Sequence, residues 1–345
     1  MSDKPTRRRA WPWILLLVVL LAVAGVLVHG WIDFNRFSRT PLNVAPQGGS
    51  IDVERGTSFK NIVADLRQRQ LSSASPLYWR LLAEQMQVAG RLHAGEYALR
   101  AGVTPRQLLA DMAAGKVLQH HFTIVDGWTF SELRQALARD DGLKHDSAGL
   151  DDAAVMQKIG ADDEAPEGRF LPETYAYVKG DGDLDILRRA HVAMTRALDE
   201  AWAMRADDLP LDTPYEALIL ASIVEKETGR PEERAQIAGV FVRRLRNHML
   251  LQTDPTVIYG MGDRYDGNIR KSDLTTDTPY NTYTRAGLPP TPIALPGKPA
   301  LQAALHPADG DALYFVARGD GSHVFSSTLV EHNRHVDCYQ RKRCR

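Results

Sequence analysis

At 345 residues the chain is long enough for about two domains. Apolar residues make up 44% and charged residues 25%, an ordinary globular composition. The net charge of -1 excludes the basic excess of a nucleic-acid binder. There is no P-loop, GxGxxG or HExxH pattern, and the 11 histidines have no metal-ligand spacing, so neither a cofactor nor a metal is expected.

The N-terminus sets the context. "WILLLVVLLAVAGVLV", residues 13–28, carries no charge, and the uncharged span extends from Ala10 to Ile32. About twenty apolar residues cross a bilayer core. Arg7, Arg8 and Arg9 precede the span, which places the N-terminus in the cytoplasm by the positive-inside rule. Trp11, Trp13 and Trp31 bracket it as interfacial aromatics would. The alternative is a cleaved signal peptide. The region is longer than a signal h-region and no A-x-A-like site follows, so an uncleaved anchor at 11–32 is the expectation. Its hydrophilic remainder is then expected outside the cytoplasmic membrane.

Three segments then follow one template: "ERGTSFKNIVADL" (54–66), "LRAGVTPRQLLADM" (99–112) and "IVDGWTFSELRQAL" (124–137). Each has a β-like lead-in, a Gly, a hydroxyl residue and an apolar-periodic helix. Ser58, Thr104 and Thr129 stand where N-caps belong, and Gln107 and Glu132 complete capping boxes in the last two copies. With a helix over 76–86, residues 33–140 read as a small α+β module resembling glycan-binding LysM domains. A plain spacer on the membrane side is the other reading, since no exposed aromatic cluster is evident. Residues 141–185 are acidic and read as loop, and 186–206 as a long helix.

The segment "PYEALILASIVEKETG" (214–229) predicts a buried helix that stops at Gly229 and Pro231 and carries two carboxylates at its end. Glu225 and Glu227 lie about 200° apart around a helix, so they serve different surfaces. Glu227 ends the row Leu220, Ile223, Val224; Glu225 ends the smaller row Leu218, Ala221, Ser222. A carboxyl on an apolar rim favours its neutral form, which suits a general acid, although a helix simply reaching water reads the same way. A helix over 234–249 comes next. Two irregular polar runs follow, 250–267 with Gln252, Thr253 and Asp254, and 278–297 with Tyr280, Asn281 and Tyr283. Such runs are costly to order unless they build something, and their aromatic, amide and hydroxyl groups suit sugar rings. Residues 311–333 read as a hairpin around Gly319-Asp320-Gly321 and a short helix, offering His323 and His332.

The motifs "ASIVEKETG", "LQTDPTVIYGMG", "YNTYTRAGLPPTPIALPG" and "HVFSSTLVEHN" resemble those of the YceG-like endolytic murein transglycosylases, and the resemblance spans nearly the whole chain. It implies a single-pass inner-membrane protein that cleaves nascent peptidoglycan glycan strands outside the cytoplasm and leaves 1,6-anhydromuramic ends, with peptidoglycan synthases as plausible partners. The implied layout is α+β throughout: cytoplasmic 1–10, transmembrane helix 11–32, LysM-like module 33–140, catalytic domain 141–337 with a helix-borne glutamate, and basic tail 338–345. The tail's Cys338 and Cys344 could close a short disulfide loop. The resemblance implies Glu227 as the catalytic acid, with Glu225 in reserve. It would protonate the leaving oxygen and its carboxylate would then take the O6 proton, so one carboxylate suffices where hydrolases use two. Gln252, Thr253, Asp254, Tyr280, Asn281 and Tyr283 are the candidates for lining a glycan cleft, each able instead to satisfy loop backbone. A muramidase using water and a non-catalytic glycan-binding scaffold are the competing readings.

Overall fold

The uncharged N-terminal segment is helical in the computed structural model, which describes residues 11–343. Arg7, Arg8, Arg9 and Cys344, invoked above, lie outside the described residues. Helix α1 (Trp11–Arg39) is the one helix among the described residues long and apolar enough to cross a membrane. Its apolar side chains, Trp13 and Trp31 included, are exposed nearly all round, as a lipid-facing helix requires. The chain divides into two compact units, one ending at Gln119 and one starting at His120.

In the first unit β1 (Gly49–Val53) leads through α2 (Phe59–Gln68) and α3 (Pro76–Gln85) to β2 (Gly95–Leu99), and α4 (Pro105–Ala113) follows. The strands of the first two sequence copies pair antiparallel, with Ile51 opposite Tyr97, so two copies share one small sheet. Ser58 and Thr104 cap α2 and α4 as expected, and Gln107 closes the capping box on Thr104. Ile51, Leu66, Trp79, Leu82, Tyr97 and Met112 fill the core. The last turns of α1 run beyond the apolar span and dock Phe37 edge-on to Trp79, ring centroids 5.2 Å apart.

The third copy belongs elsewhere. Strand β3 (Gln119–Thr123) leads to α5 (Phe130–Leu137), α6 (Asp152–Ile159) and β4 (Thr174–Val178), and β3 pairs with β4. The division at 119/120 therefore falls earlier than the 140/141 expected from composition, because the third strand finds its partner downstream. Residues 141–185, read as loop, contain α6 and β4; acidic turn residues mask both. Phe130, Leu133, Val155, Phe170, Ile186 and Leu187 make this part of the core.

The remainder is mainly helical: α7 (Asp183–Ala203), α8 (Pro214–Glu227), α9 (Arg234–Arg246), α10 (Asp254–Met261), α11 (Lys271–Thr275) and α12 (Lys298–Leu305). A hairpin of β5 (Tyr314–Ala317) and β6 (His323–Ser326) precedes α13 (Leu329–Tyr339), which is longer than the short helix expected. Helix α8 is the axis of this core, packed against α7, α9, α10 and α12. Helix α10 corrects the reading of 250–267 as irregular. Asp254-Pro255 looks like a turn, but Pro in the first helical turn, where the backbone N–H has no intrahelical partner to lose, is compatible with a helix start.

Candidate active site

Every residue of α8 from Ala217 to Val224 is buried, so the helix is walled in on all sides until its last turn. Thr213 caps its start through the Glu216 N–H, and Pro214 occupies the first turn. At its end Thr228 is already extended, with φ -146° and ψ 134°, so Glu227 is the final helical residue.

The two carboxylates part as their spacing predicts. The row ending in Glu225 lies under the Pro-rich segment. Ser222 Oγ accepts the Ile293 N–H at 3.0 Å, and Glu225 accepts the Gly297 N–H at 3.0 Å. Glu225 also faces Arg234 at 3.4 Å, with side-chain exposures of 6% and 14%. Burial raises the Glu225 pKa, while the Gly297 N–H and the Arg234 guanidinium pull it back. Both of its oxygens are thus committed to holding the fold together.

Glu227 faces the other way. It sits in the wall of a cleft of about 390 Å³ formed with α9, α10, the β5–β6 hairpin and α13. The Thr253 hydroxyl donates to its Oε1. Burial pushes the Glu227 carboxyl up to about 7 and Asp254 adds to the rise. The Thr253 hydrogen bond and the electrostatic influence of His323 and Arg244 oppose it. A carboxyl that is half protonated near neutrality and opens on a cleft can give and regain a proton there.

The surroundings of Glu227 are held by groups that the periodicity hides. Thr253, 2% exposed, is fixed by Thr282: the Thr253 N–H donates to Thr282 Oγ1 at 3.1 Å, and the Gln252 N–H to the Thr282 carbonyl. Gln252 has φ 51°, a left-handed conformation uncommon outside glycine, which turns the chain sharply into Thr253. Arg244, 7% exposed, donates to the carbonyls of Leu251 and Leu313 at 2.9 and 2.7 Å, and its guanidinium lies over the Tyr314 ring. It thereby ties the 250–253 segment to the hairpin. Arg244 follows Ile237, Val240 and Phe241 in the apolar row of α9, and a charge in such a row is a signal that sequence reasoning could have used.

Of the expected cleft residues, Gln252, Asp254 and Tyr283 line the cleft with Glu227, and Tyr283 donates to Asp254 at 2.6 Å. Thr253 reaches Glu227 directly. Tyr280 and Asn281 are not among the lining residues. Tyr280 stacks edge-on against Tyr259 and shares a hydrogen bond with Thr291. Asn281, 1% exposed, donates to the carbonyls of Asp273, Leu274 and Thr276 and accepts the Tyr283 N–H, which makes it a loop clamp. Its Asn-x-Tyr setting predicts polarity but not direction. Glu167 is a second carboxyl that burial pushes up to about 7. It is occupied by the Phe130 N–H and the Tyr259 hydroxyl, each at 3.0 Å, and does not line the cleft.

A sequence model of the YceG-like family matches residues 51–338. The chain is 28% identical to an endolytic murein transglycosylase of Bacillus subtilis, a match covering 92% of this chain and 91% of that protein. It is 26% identical to an endolytic murein transglycosylase of Streptococcus pneumoniae, over 92% of this chain but 54% of that longer protein, about half its length. Among solved structures it is similar to a YceG-like protein of Listeria monocytogenes, with TM-score 0.53 and 27% identity, over 84% of this chain and 99% of the other.

Proposed function

Since the chain belongs to the YceG-like family, we propose that it cleaves murein as its curated relatives are named for doing, with Glu227 as the acid. It is an endolytic murein transglycosylase, a lyase that cuts MurNAc–GlcNAc bonds within glycan strands. The observation that carries the assignment of the acid is the contrast at the end of α8. Glu225 is paired with Arg234 and capped by Gly297, while Glu227 opens on the cleft with its carboxyl pushed up to about 7.

Protonated Glu227 gives its proton to the glycosidic oxygen leaving muramic acid C1. The cation-like sugar is stabilised by its own N-acetyl group and by the hydroxyl and carboxylate of Tyr283 and Asp254. The O6 hydroxyl of the same sugar attacks C1, closing a 1,6-anhydro ring without water. The carboxylate left on Glu227 is one acceptor for the O6 proton. Gln252 completes the wall beside Arg244, 3.5 Å from it.

The helix α1 anchors the protein in a membrane. We place it in the inner membrane with the N-terminus cytoplasmic and both units outside, where nascent strands and their synthases are within reach. The β1–α2–α3–β2 unit supports the reading of a LysM-like module before the catalytic unit. Mass analysis of murein digested by the full-length protein tests the function: anhydromuramic ends are expected from the wild type and none from Glu227→Gln. Reducing muramic ends would replace the transglycosylase with a muramidase. Loss of cleavage in Glu225→Gln with an active Glu227→Gln would exchange the two glutamates. Full activity in both would leave a glycan-binding scaffold.

A further inference from the structure

The cleft contains a second acid–base group that the single-carboxylate scheme does not use. His323 opens β6, lines the same cleft as Glu227, and is held by Glu233, the last residue of the 3-10 turn that follows α8. Glu233 accepts the His323 backbone N–H at 2.9 Å through one oxygen and ring Nδ1 at 2.7 Å through the other. The two side chains are 12% and 10% exposed. The Phe315 ring packs perpendicular to the imidazole, centroids 5.4 Å apart.

This geometry determines which ring nitrogen carries the proton. Burial works against the Glu233 charge, but the two His323 hydrogen bonds outweigh it and hold that carboxyl below its ordinary value. Glu233 is therefore a carboxylate and can only accept, so Nδ1 must be the protonated nitrogen. In the neutral ring Nε2 is then a free lone pair, and it meets no protein hydrogen-bond partner among the described residues. A carboxylate that fixes the tautomer and aim of an imidazole is the arrangement by which a histidine is made into a base.

We propose that His323 Nε2 takes the proton of the muramic acid O6 hydroxyl as that oxygen attacks C1, so that Glu227 acts as acid alone. This rests on the reading of Glu227 as the acid. The proton and electron balance closes. The C1–O4 bond breaks as O4 gains the Glu227 proton, the C1–O6 bond forms as O6 loses its proton to Nε2, and the imidazolium returns that proton to the Glu227 carboxylate through solvent. Glu233 positions the ring and touches no substrate. Without the base, O6 is a poorer nucleophile and water competes for C1.

Two variants of the full-length protein in detergent, with purified glycan strands, test this by rate, product ratio and pH profile. Wild-type kcat/KM should be bell-shaped, falling at low pH where a general base gains a proton and at high pH where the acid Glu227 loses its own. The charged and titratable groups around His323 and its partner Glu233 are Glu227 on α8, Glu233, Arg230, Arg244 on α9, Asp254 on α10, Tyr283, Tyr314 on β5 and His332 on α13. Only His323 is changed in the first variant. His323→Gln should lose roughly a hundredfold in rate, lose the acid limb, and release a larger share of reducing muramic ends. Glu233→Gln, which leaves the imidazole in place, should lose roughly tenfold and displace the acid limb. Near wild-type rates, or a fall in rate with limb and product ratio unchanged, overturn the proposal. If His323→Gln does not fold, the acid limb of Glu233→Gln decides alone. Inactive Glu227→Gln beside an unaffected His323→Gln rejects only the base, whereas active Glu227→Gln rejects the underlying reading.

Discussion

Thr253→Val removes one hydroxyl and little else. The residue is 2% exposed, valine has its shape, and the backbone N–H keeps its bond to Thr282. The hydroxyl donates to Glu227 and so favours the ionised carboxylate; its loss must raise the Glu227 pKa above its present value of about 7. A hydrogen bond to a charged group contributes roughly 1.5–3 kcal/mol, and about 1.4 kcal/mol corresponds to one pKa unit. The expected rise is therefore about one to two units. An acid catalyst works while protonated, so the alkaline limb of kcat/KM against pH moves upward by that amount. At pH 8 the variant should outpace the wild type by roughly fivefold, a gain of activity from deleting an active-site contact. A weaker acid transfers its proton less readily, so the plateau falls slightly, but the limb position reads only the pKa. Murein cleavage followed from pH 5 to 9 is the assay. A limb that stays in place or moves down refutes the assignment of Glu227 as the acid or of Thr253 as its hydrogen-bond donor.

Glu225→Gln should act on stability instead. It leaves the Arg234 guanidinium buried without its counter-charge, a loss of about 2–4 kcal/mol in chemical denaturation, with cleavage retained below the unfolding transition. Asn281→Ala removes donors to three carbonyls and the acceptor for the Tyr283 N–H. A drop of about 2–3 kcal/mol is expected, together with a raised KM because Tyr283 is no longer held; an unchanged KM would detach the clamp from the cleft. Glu167 gives a pH signature. Its folded pKa of about 7 exceeds that of an ordinary glutamate, so the folded state binds the proton more tightly. That stability is fully present below the unfolded pKa and is lost as pH rises through about 7. Glu167 should contribute on the order of 2 kcal/mol to the fall in denaturation free energy from pH 5 to pH 8; Glu167→Gln should remove that share and leave the one from Glu227, whose carboxyl is also pushed up to about 7.

Much was legible in local pattern. The apolar run of α1, the caps at Ser58, Thr104 and Thr129, the buried helix ending at Glu227 and the hairpin before α13 depend on neighbours within a few residues, where periodicity and capping rules act. The angular separation of Glu225 and Glu227 follows from helix geometry alone and was confirmed in their different partners. The family and the reaction were legible as motifs in fixed order.

What local pattern could not contain was pairing across the chain. Strand β3 carries the same template as β1 and β2, yet it joins β4, some fifty residues on, because strand partners are chosen by the burial of whole faces. Tyr280, Asn281 and Tyr283 are nearly adjacent and similar in polarity, but only Tyr283 reaches the cleft. Loop backbone must satisfy its carbonyls, and Asn281 was drawn inward to do so. The same holds for the charges. Sequence alone determined that two carboxylates end a buried helix on opposite faces. Only the tertiary structure brought Arg234 to Glu225 and Thr253, His323 and Arg244 to the surroundings of Glu227, because a carboxyl's protonation depends on burial and on charges contributed from distant elements.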